Sequence, residues 1–213
     1  MKWSWNGDGP AYGSPIAIDL SGTRQIVTFT QDNLIGVSAA TGELLWRRSY
    51  TVRATRNAVT PIVFGQTLII SGIGMPVTAF RPINRAGQWS VEDVWENAET
   101  NMDMSTGVVI GTTLYGFSAR NSGQFFAVDA NTGQTRWLSE GRQADNAAVV
   151  SAGDLWFALE ADAELVVARA NPKQFDVVKR YTVATSATWA QPVLSGQRVF
   201  VKDLSAISLW TLN

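Results

Sequence analysis

Short apolar runs, each broken after a few residues by a polar or glycine-containing turn, recur along the whole chain. Runs of that length, rich in branched residues and bounded by turn formers, predict strands joined by hairpins. Five times a small polar lead-in precedes branched apolar residues: Gly13-Ser14-Pro15-Ile16, Val59-Thr60-Pro61-Ile62, Ser105-Thr106-Gly107-Val108, Asn146-Ala147-Ala148-Val149 and Ala190-Gln191-Pro192-Val193. Their third positions are spaced by 46, 46, 41 and 44 residues, a period that suits four short strands with their turns. A turn then opens a second strand in every unit, at 25–30, 67–71, 113–118, 155–159 and 198–202, after Gly22-Thr23, Gly65-Gln66, Gly111-Thr112, Gly153-Asp154 and Gly196-Gln197. Third strands are expected at 34–38 and 124–129, and fourth strands follow a Thr-Gly turn and carry Trp.

Repeats of four strands with one Trp each favour radial repetition, so the expected fold is an all-β propeller of four-stranded antiparallel blades, a single domain over 1–213. The fifth unit reaches only its third strand, 206–212. Trp3 stands 12 residues before Pro15, as Trp95 stands 12 before Gly107, so residues 2–5 are expected to supply the missing fourth strand and close a five-bladed ring. Closure would remove two open sheet edges and leave a monomer. The alternatives are a fragment of a seven- or eight-bladed ring, or a β-sandwich.

The most regular unit is Ala127-Val128-Asp129-Ala130-Asn131-Thr132-Gly133-Gln134-Thr135-Arg136-Trp137. The first unit repeats it as Gly36-Val37-Ser38-Ala39-Ala40-Thr41-Gly42-Glu43-Leu44-Leu45-Trp46, with Ser38 where Asp129 stands. Gly suits a positive backbone angle, Thr and Asp can bond turn amides, and Trp can fill the gap between adjacent blades. Trp95 keeps the docking position in the second unit, where residues 81–89 form a longer polar insertion, and the fourth unit has Asn171-Pro172-Lys173 and Tyr181 instead. Trp3, Trp46, Trp95, Trp137 and Trp210 are read as inter-blade packing residues, while Trp89 and Trp156 are less regular.

This run resembles the tryptophan-docking repeat of the pyrroloquinoline-quinone-like β-propeller family, and the resemblance covers essentially the whole chain. One branch of that family consists of dehydrogenases that hold pyrroloquinoline quinone and Ca²⁺, many with an adjacent cysteine pair. This sequence has no Cys and offers no Glu, Asn and Asp set that aligns with those metal ligands. The resemblance therefore implies the non-catalytic, BamB-like branch, a binding or scaffold propeller with a protein partner and no cofactor, in a periplasmic or extracellular setting. An oxygen-ligated Ca²⁺ site with the quinone stays open as an alternative. So does a carbohydrate-binding or glycoside-hydrolysing propeller, which would need paired carboxylates.

Composition narrows the chemistry. Lys+Arg 17 against Asp+Glu 18 gives a formal net charge of −1, without the cationic excess that a nucleic-acid surface shows. The lack of His and Cys removes thiolate nucleophiles, Cys/His zinc sites and serine–histidine triads. No apolar run is long enough to span a bilayer, and Met1-Lys2-Trp3-Ser4-Trp5 lacks a signal-peptide core. A Cys-free chain tolerates either redox compartment. The loops that lead into the innermost strands are expected to ring a channel mouth and bind the ligand, through Tyr12, Arg56, Asn57, Asn101, Asp103, Asp145, Asn146, Thr188 and Trp189. Asp103 and Asp145 hold comparable places in consecutive units, suited to a shared cation or sugar hydroxyl, or simply to capping turns. Trp189 could stack on a sugar or a partner side chain, or pack between blades. Arg81, Arg85 and Trp89 of the insertion form a second candidate contact, and the basic cluster of Arg47, Arg48 and 53–56 reads as a solvated edge.

Overall fold

A computed structural model describes residues 2–53 and 56–212, which form five antiparallel sheets. The chain divides into two compact units, Met1–Met104 and Ser105–Asn213. The first holds a sheet of β1 (Ile16–Leu20), β2 (Thr23–Phe29), β3 (Asn33–Ser38) and β4 (Leu44–Ser49), and one of β5 (Ile62–Phe64), β6 (Thr67–Gly72), β7 (Met75–Arg85) and β8 (Gln88–Asn97). In the second unit are β9 (Val108–Ile110), β10 (Thr113–Ser118), β11 (Gln124–Asp129) and β12 (Thr135–Leu138), then β13 (Ala147–Ala152), β14 (Leu155–Glu160), β15 (Glu164–Arg169) and β16 (Asp176–Thr182). A three-stranded sheet of β17 (Val193–Ser195), β18 (Arg198–Lys202) and β19 (Ile207–Thr211) ends it. No helix among the described residues is long and apolar enough to cross a membrane.

Strand alternation sends apolar side chains to both faces of each sheet, and neighbouring sheets interlock through them. In the first unit Val27, Phe29, Leu34 and Trp46 pack with Leu68, Ile70 and Phe80. In the second, Tyr115, Phe117, Phe125 and Trp137 meet Ala147, Val149, Trp156 and Val166, with Trp156 stacked on Tyr115 at 5.8 Å. The opposite face of the β13–β16 sheet, bearing Phe157, Leu159, Leu165 and Val167, packs with Val199 and Val201. Trp156, the irregular tryptophan of the sequence, is thus wholly buried at the centre of a core.

A single device recurs where each fourth strand joins its third. The pairing breaks register at a bulge between Gly36 and Val37, Ala79 and Phe80, Ala127 and Val128, and Val167 and Ala168. In three sheets a small residue just before the bulge faces a tryptophan: Gly36 opposes Trp46, Ala79 opposes Trp95 and Ala127 opposes Trp137. The indole needs that space, since a Cβ on Gly36 would lie 2.2 Å from the Trp46 ring. In the fourth sheet the larger Val167 opposes Lys179.

The turn ahead of the tryptophan is held as its sequence demands. Asp129 Oδ1 accepts from the Asn131 and Thr132 amides at 2.8 and 3.2 Å, and Thr132 Oγ1 accepts from Gln134 at 3.3 Å. In the first unit Ser38 and Thr41 do the same for the amides of Thr41 and Glu43. Gly42 and Gly133 both take φ of 76°, the left-handed region that a side chain disfavours. Burial opposes ionisation of Asp129, yet these amides and Arg136 hold its carboxyl below the usual range.

The closing strand needs correction. Residues 2–5 form no strand, and the β17–β19 sheet has three strands among the described residues, so the closing strand is not formed. Trp3 instead donates its indole N–H to the Ala39 carbonyl at 3.1 Å and lies over Gly42, serving as a docking residue on the β3–β4 turn without being part of a strand. The longer polar insertion of residues 81–89 takes the form of the tip of an extended β7–β8 hairpin, paired from Arg81 and Glu92 out to Arg85 and Gln88. Trp210 lies on β19, the third strand expected over 206–212, and its indole N–H reaches the Val183 carbonyl at 3.0 Å.

Filling the indole space should therefore be costly. Gly36→Val is expected to destabilise the protein by about 1–3 kcal/mol through overpacking, with partial recovery in the Gly36→Val, Trp46→Leu double variant. Trp137→Ala should cost about 3–5 kcal/mol by urea unfolding, in line with a large buried aromatic; a negligible loss would remove the indole from the core.

Candidate functional site

The loops expected to bind ligand divide between the two units and behave differently in each. In the first unit most are occupied with structure. Asn57 is buried, and its Nδ2 donates to the carbonyls of Thr30, Gln31 and Tyr50 at 3.0 to 3.2 Å, while its own carbonyl accepts from the amides of Tyr12 and Gly13. It is a cross-loop strut, not a ligand group. Tyr12, by contrast, is 76% exposed. Asn101 is buried with its Nδ2 on Asp103 Oδ1 at 2.8 Å. Burial raises the Asp103 carboxyl, against the Gly74 amide and the charge of exposed Arg56. Alongside them the sequence reading missed Asp8, whose Oδ2 accepts from Thr30 Oγ1, Asn33 Nδ2 and the Asp32 amide. Burial would raise Asp8, but these bonds and the Gly9 amide hold it down to about 2.

The basic cluster also serves the fold, insofar as it is described: Arg48 pairs with Asp93 and lies 5.0 Å over the Phe80 ring. Residues 54 and 55 of that cluster lie outside the described residues.

In the second unit the loops build a cleft. A run of backbone bonds joins them: the Arg142 and Gln143 amides donate to the carbonyls of Asn121 and Gly123, the Ala161 amide to that of Asn146, and the Thr188 amide to that of Ala161. Thr188, only 2% exposed, adds an Oγ1 bond to the Glu160 carbonyl at 2.5 Å. Asn146 and Thr188 therefore hold the rim together through the backbone instead of facing a ligand. Between these loops lies a cleft of about 400 Å³, lined by Arg142, Asp145, Asp162 and Trp189 together with Ser122 and three alanines. Trp189 is 55% exposed although its neighbour Thr188 is pinned. Asp145 and Trp189 are thus the two expected residues that the structure brings to one concave surface. Arg142, Asp145 and Trp189 make no side-chain hydrogen bond or ion pair among the described residues.

Beside this rim sits Glu160, the last residue of β14, one position beyond the strand expected at 155–159 and missed by the sequence reading. Its side chain is 1% exposed, with Oε2 3.5 Å from Arg180 Nη1 and Oε1 without a hydrogen-bond partner. Arg180 is itself shared with Glu164 and with Gln143 Oε1 at 2.6 Å. Burial, joined by the negative charges of Glu164 and Asp162 and opposed by Arg180, pushes the Glu160 carboxyl up to about 8. The folded state thus keeps a proton that the unfolded chain releases near 4.5. The stability this supplies is complete below about 4.5 and is lost as pH rises through 8. Glu160→Gln should flatten the fall in stability between pH 5 and 8 and raise stability at pH 8 by on the order of 1–3 kcal/mol, read from urea titrations across pH. An unchanged pH profile would place the charge of Glu160 elsewhere.

Comparison with known proteins agrees with this architecture. No curated protein matches the chain in sequence. Among solved structures, BamB from Moraxella catarrhalis superimposes with a TM-score of 0.70 at 16% identity, over 99% of this chain and 60% of that one. Kluyveromyces lactis Hsv2 follows with a TM-score of 0.61 at 12% identity, over 89% of this chain and 59% of that one, as does its form with complete loop 6CD over 89% and 58%. The chain thus spans about three fifths of the length of these structures, and at such identities the likeness is one of fold. A family model described as outer membrane protein assembly factor BamB matches residues 3–213, nearly the whole chain with all five of its sheets, and the chain belongs to this BamB family.

Proposed function

We propose that the chain is a non-catalytic binding propeller that acts in the periplasm as a scaffold of outer-membrane assembly and takes a protein partner at the cleft of its second unit. The observation that carries this reading is Trp189, an indole left 55% exposed on a loop that Thr188 fixes from below. An exposed aromatic held rigid loses little freedom on binding, and Trp and Arg are the side chains that most often anchor protein interfaces. Arg142 and Asp145 supply unpaired charges of both signs on the same surface, which set orientation and partner choice. Family membership supports the setting and the kind of partner.

The same indole, with Asp145, Asp162 and Arg142 around it, also suits a sugar ring stacked on its face with hydroxyls bonded at the edge. One experiment separates the two. A photo-crosslinking amino acid at Trp189, introduced in cells, should capture a protein of the outer-membrane assembly apparatus, and Trp189→Ala should weaken that complex at least about tenfold. Calorimetric binding of an oligosaccharide that is lost in Trp189→Ala, with no protein captured, would overturn the scaffold reading in favour of the glycan.

A further inference from the structure

Arg180, on β16, links the interior of its sheet to the rim of the Trp189 cleft. Its Nη2 donates to Gln143 Oε1 at 2.6 Å, and Gln143 passes the hold along the loop, since its Nε2 donates to the Glu140 carbonyl at 3.1 Å. Arg142, Ala144 and Asp145, the residues around Gln143, line the cleft. Through Nη1 the same guanidinium bonds to Glu164 Oε1 and stands 3.5 Å from Glu160 Oε2. That last spacing is longer than a formed charge-assisted hydrogen bond, so the guanidinium has been given to Glu164 and Gln143 ahead of Glu160.

Glu160 competes for that guanidinium. Its side chain is 1% exposed and its Oε1 has no hydrogen-bond partner. The charges that bear on it are Arg180 from β16, Glu164 from β15 and Asp162 from the turn between β14 and β15, while β13 sets the uncharged Ala147 opposite it. With its proton, Glu160 makes little demand on Arg180, and the fork stays divided between Glu164 and Gln143. Without it, a buried carboxylate with two acidic neighbours pulls on Arg180, and closing the 3.5 Å gap turns Nη2 away from Gln143. The facing wall of the cleft is tied to the same residue, since the Glu160 carbonyl holds Thr188 Oγ1 next to Trp189.

We propose that Arg180 is the positioning residue of the Trp189 cleft: beside a protonated Glu160 it holds Gln143 and keeps the 142–145 rim in its binding form, and drawn to an ionised Glu160 it releases Gln143 and loosens that rim. A fixed rim loses less freedom on binding, so the protein partner is held more tightly at low pH and released as pH rises. The proposal rests on the reading of this cleft as the binding surface, but it concerns the geometry of the cleft itself, so the two can fail separately.

Fluorine NMR of the whole chain grown with 5-fluorotryptophan tests it, with the Trp189 resonance assigned through Trp189→Phe. That resonance should move by more than its linewidth as pH rises, with a midpoint of about 8. Glu160→Gln, which mimics the protonated form, should hold it at its low-pH position throughout. Gln143→Ala should cut the movement to less than half yet leave the pH dependence of urea stability in place, because Glu160 still titrates after its link to the rim is severed. Unmoved resonances of Trp46 and Trp95 in the first unit show that each variant is folded. A Trp189 resonance that ignores pH, or that moves in full in Glu160→Gln or in Gln143→Ala, would overturn the proposal. Photo-crosslinking at Trp189 in cells should capture at least about threefold less partner at pH 9 than at pH 6.5, and equal capture would overturn the link to binding. Capture of no protein at either pH fails the scaffold reading, and the fluorine titration then decides the positioning role by itself.

Discussion

The fold depends on one steric bargain, an indole laid over a residue too small to oppose it. Trp46 covers Gly36, and Trp95 and Trp137 stand opposite Ala79 and Ala127, each time beside a bulge that bends the fourth strand. Bulges sharpen local twist and re-aim side chains, so the bend brings a large aromatic to the sheet without widening the strand spacing. Trp137 then extends from its own sheet to the next, where its N–H meets the Asn171 carbonyl at 2.8 Å and its ring stacks on Phe175. The repeat is therefore a repeat of contacts as much as of sequence. Trp3 shows that the contact survives without a strand to carry it, because the β3–β4 turn offers the same Gly42 platform and a free carbonyl at Ala39.

Rigid sheets fix where their connecting loops start, but the loops differ in what they spend their polar groups on. In the first unit Asn57 and Asp8 are drawn into buried or half-buried bonds that tie loop to loop, and Asn101 bonds to Asp103 within its own loop. In the second, backbone amides do the tying, through Ala161, Thr188, Arg142 and Gln143, and the side chains of the rim are left to line a cleft. That difference in bonding sets rim side chains of the second unit along a cleft and makes the loops of the first a brace. Glu160 carries the cost of this arrangement. Its backbone carbonyl anchors Thr188 while its carboxyl is buried against Arg180 with one oxygen unmatched, an environment that favours the protonated form.

Much of the architecture was legible because its signals are local. Turn glycines, the Asp129 or Ser38 bond to the turn amides and the Thr-Gly-x-x-x-Trp spacing each act within a few residues, so the sheets and most strand limits could be read directly. The extended β7–β8 hairpin is also written locally, in the alternation of Gln88, Ser90 and Glu92 with Trp89 and Val91 around an Ala86-Gly87 turn, although its polar residues mark it only as an insertion. What sequence spacing does not convey is complementarity at a distance. Trp3 has the right interval for a closing strand, yet its indole docks on Ala39 and Gly42 of the β3–β4 turn. Asn57, Thr188 and Glu160 fall in the same class, since each looks like an exposed polar residue until packing from other strands buries it.

The same reasoning separates Asp145 and Trp189 from Asn57 and Thr188 within the expected set. A polar side chain that satisfies several buried carbonyls cannot leave them without exposing unmatched groups, which costs on the order of 1–3 kcal/mol for each. Asn57, with three such carbonyls, is committed, and so is Thr188 through Glu160. Asp145 and Trp189 owe the fold no such bond, and they sit on a rim whose backbone is already fixed. Binding there asks for little reorganisation of the loop, which is the physical condition for turning exposed area into affinity. A propeller can thus divide its loops between holding itself together and holding something else, and the hydrogen-bond partners of each side chain, more than its exposure alone, tell the two apart.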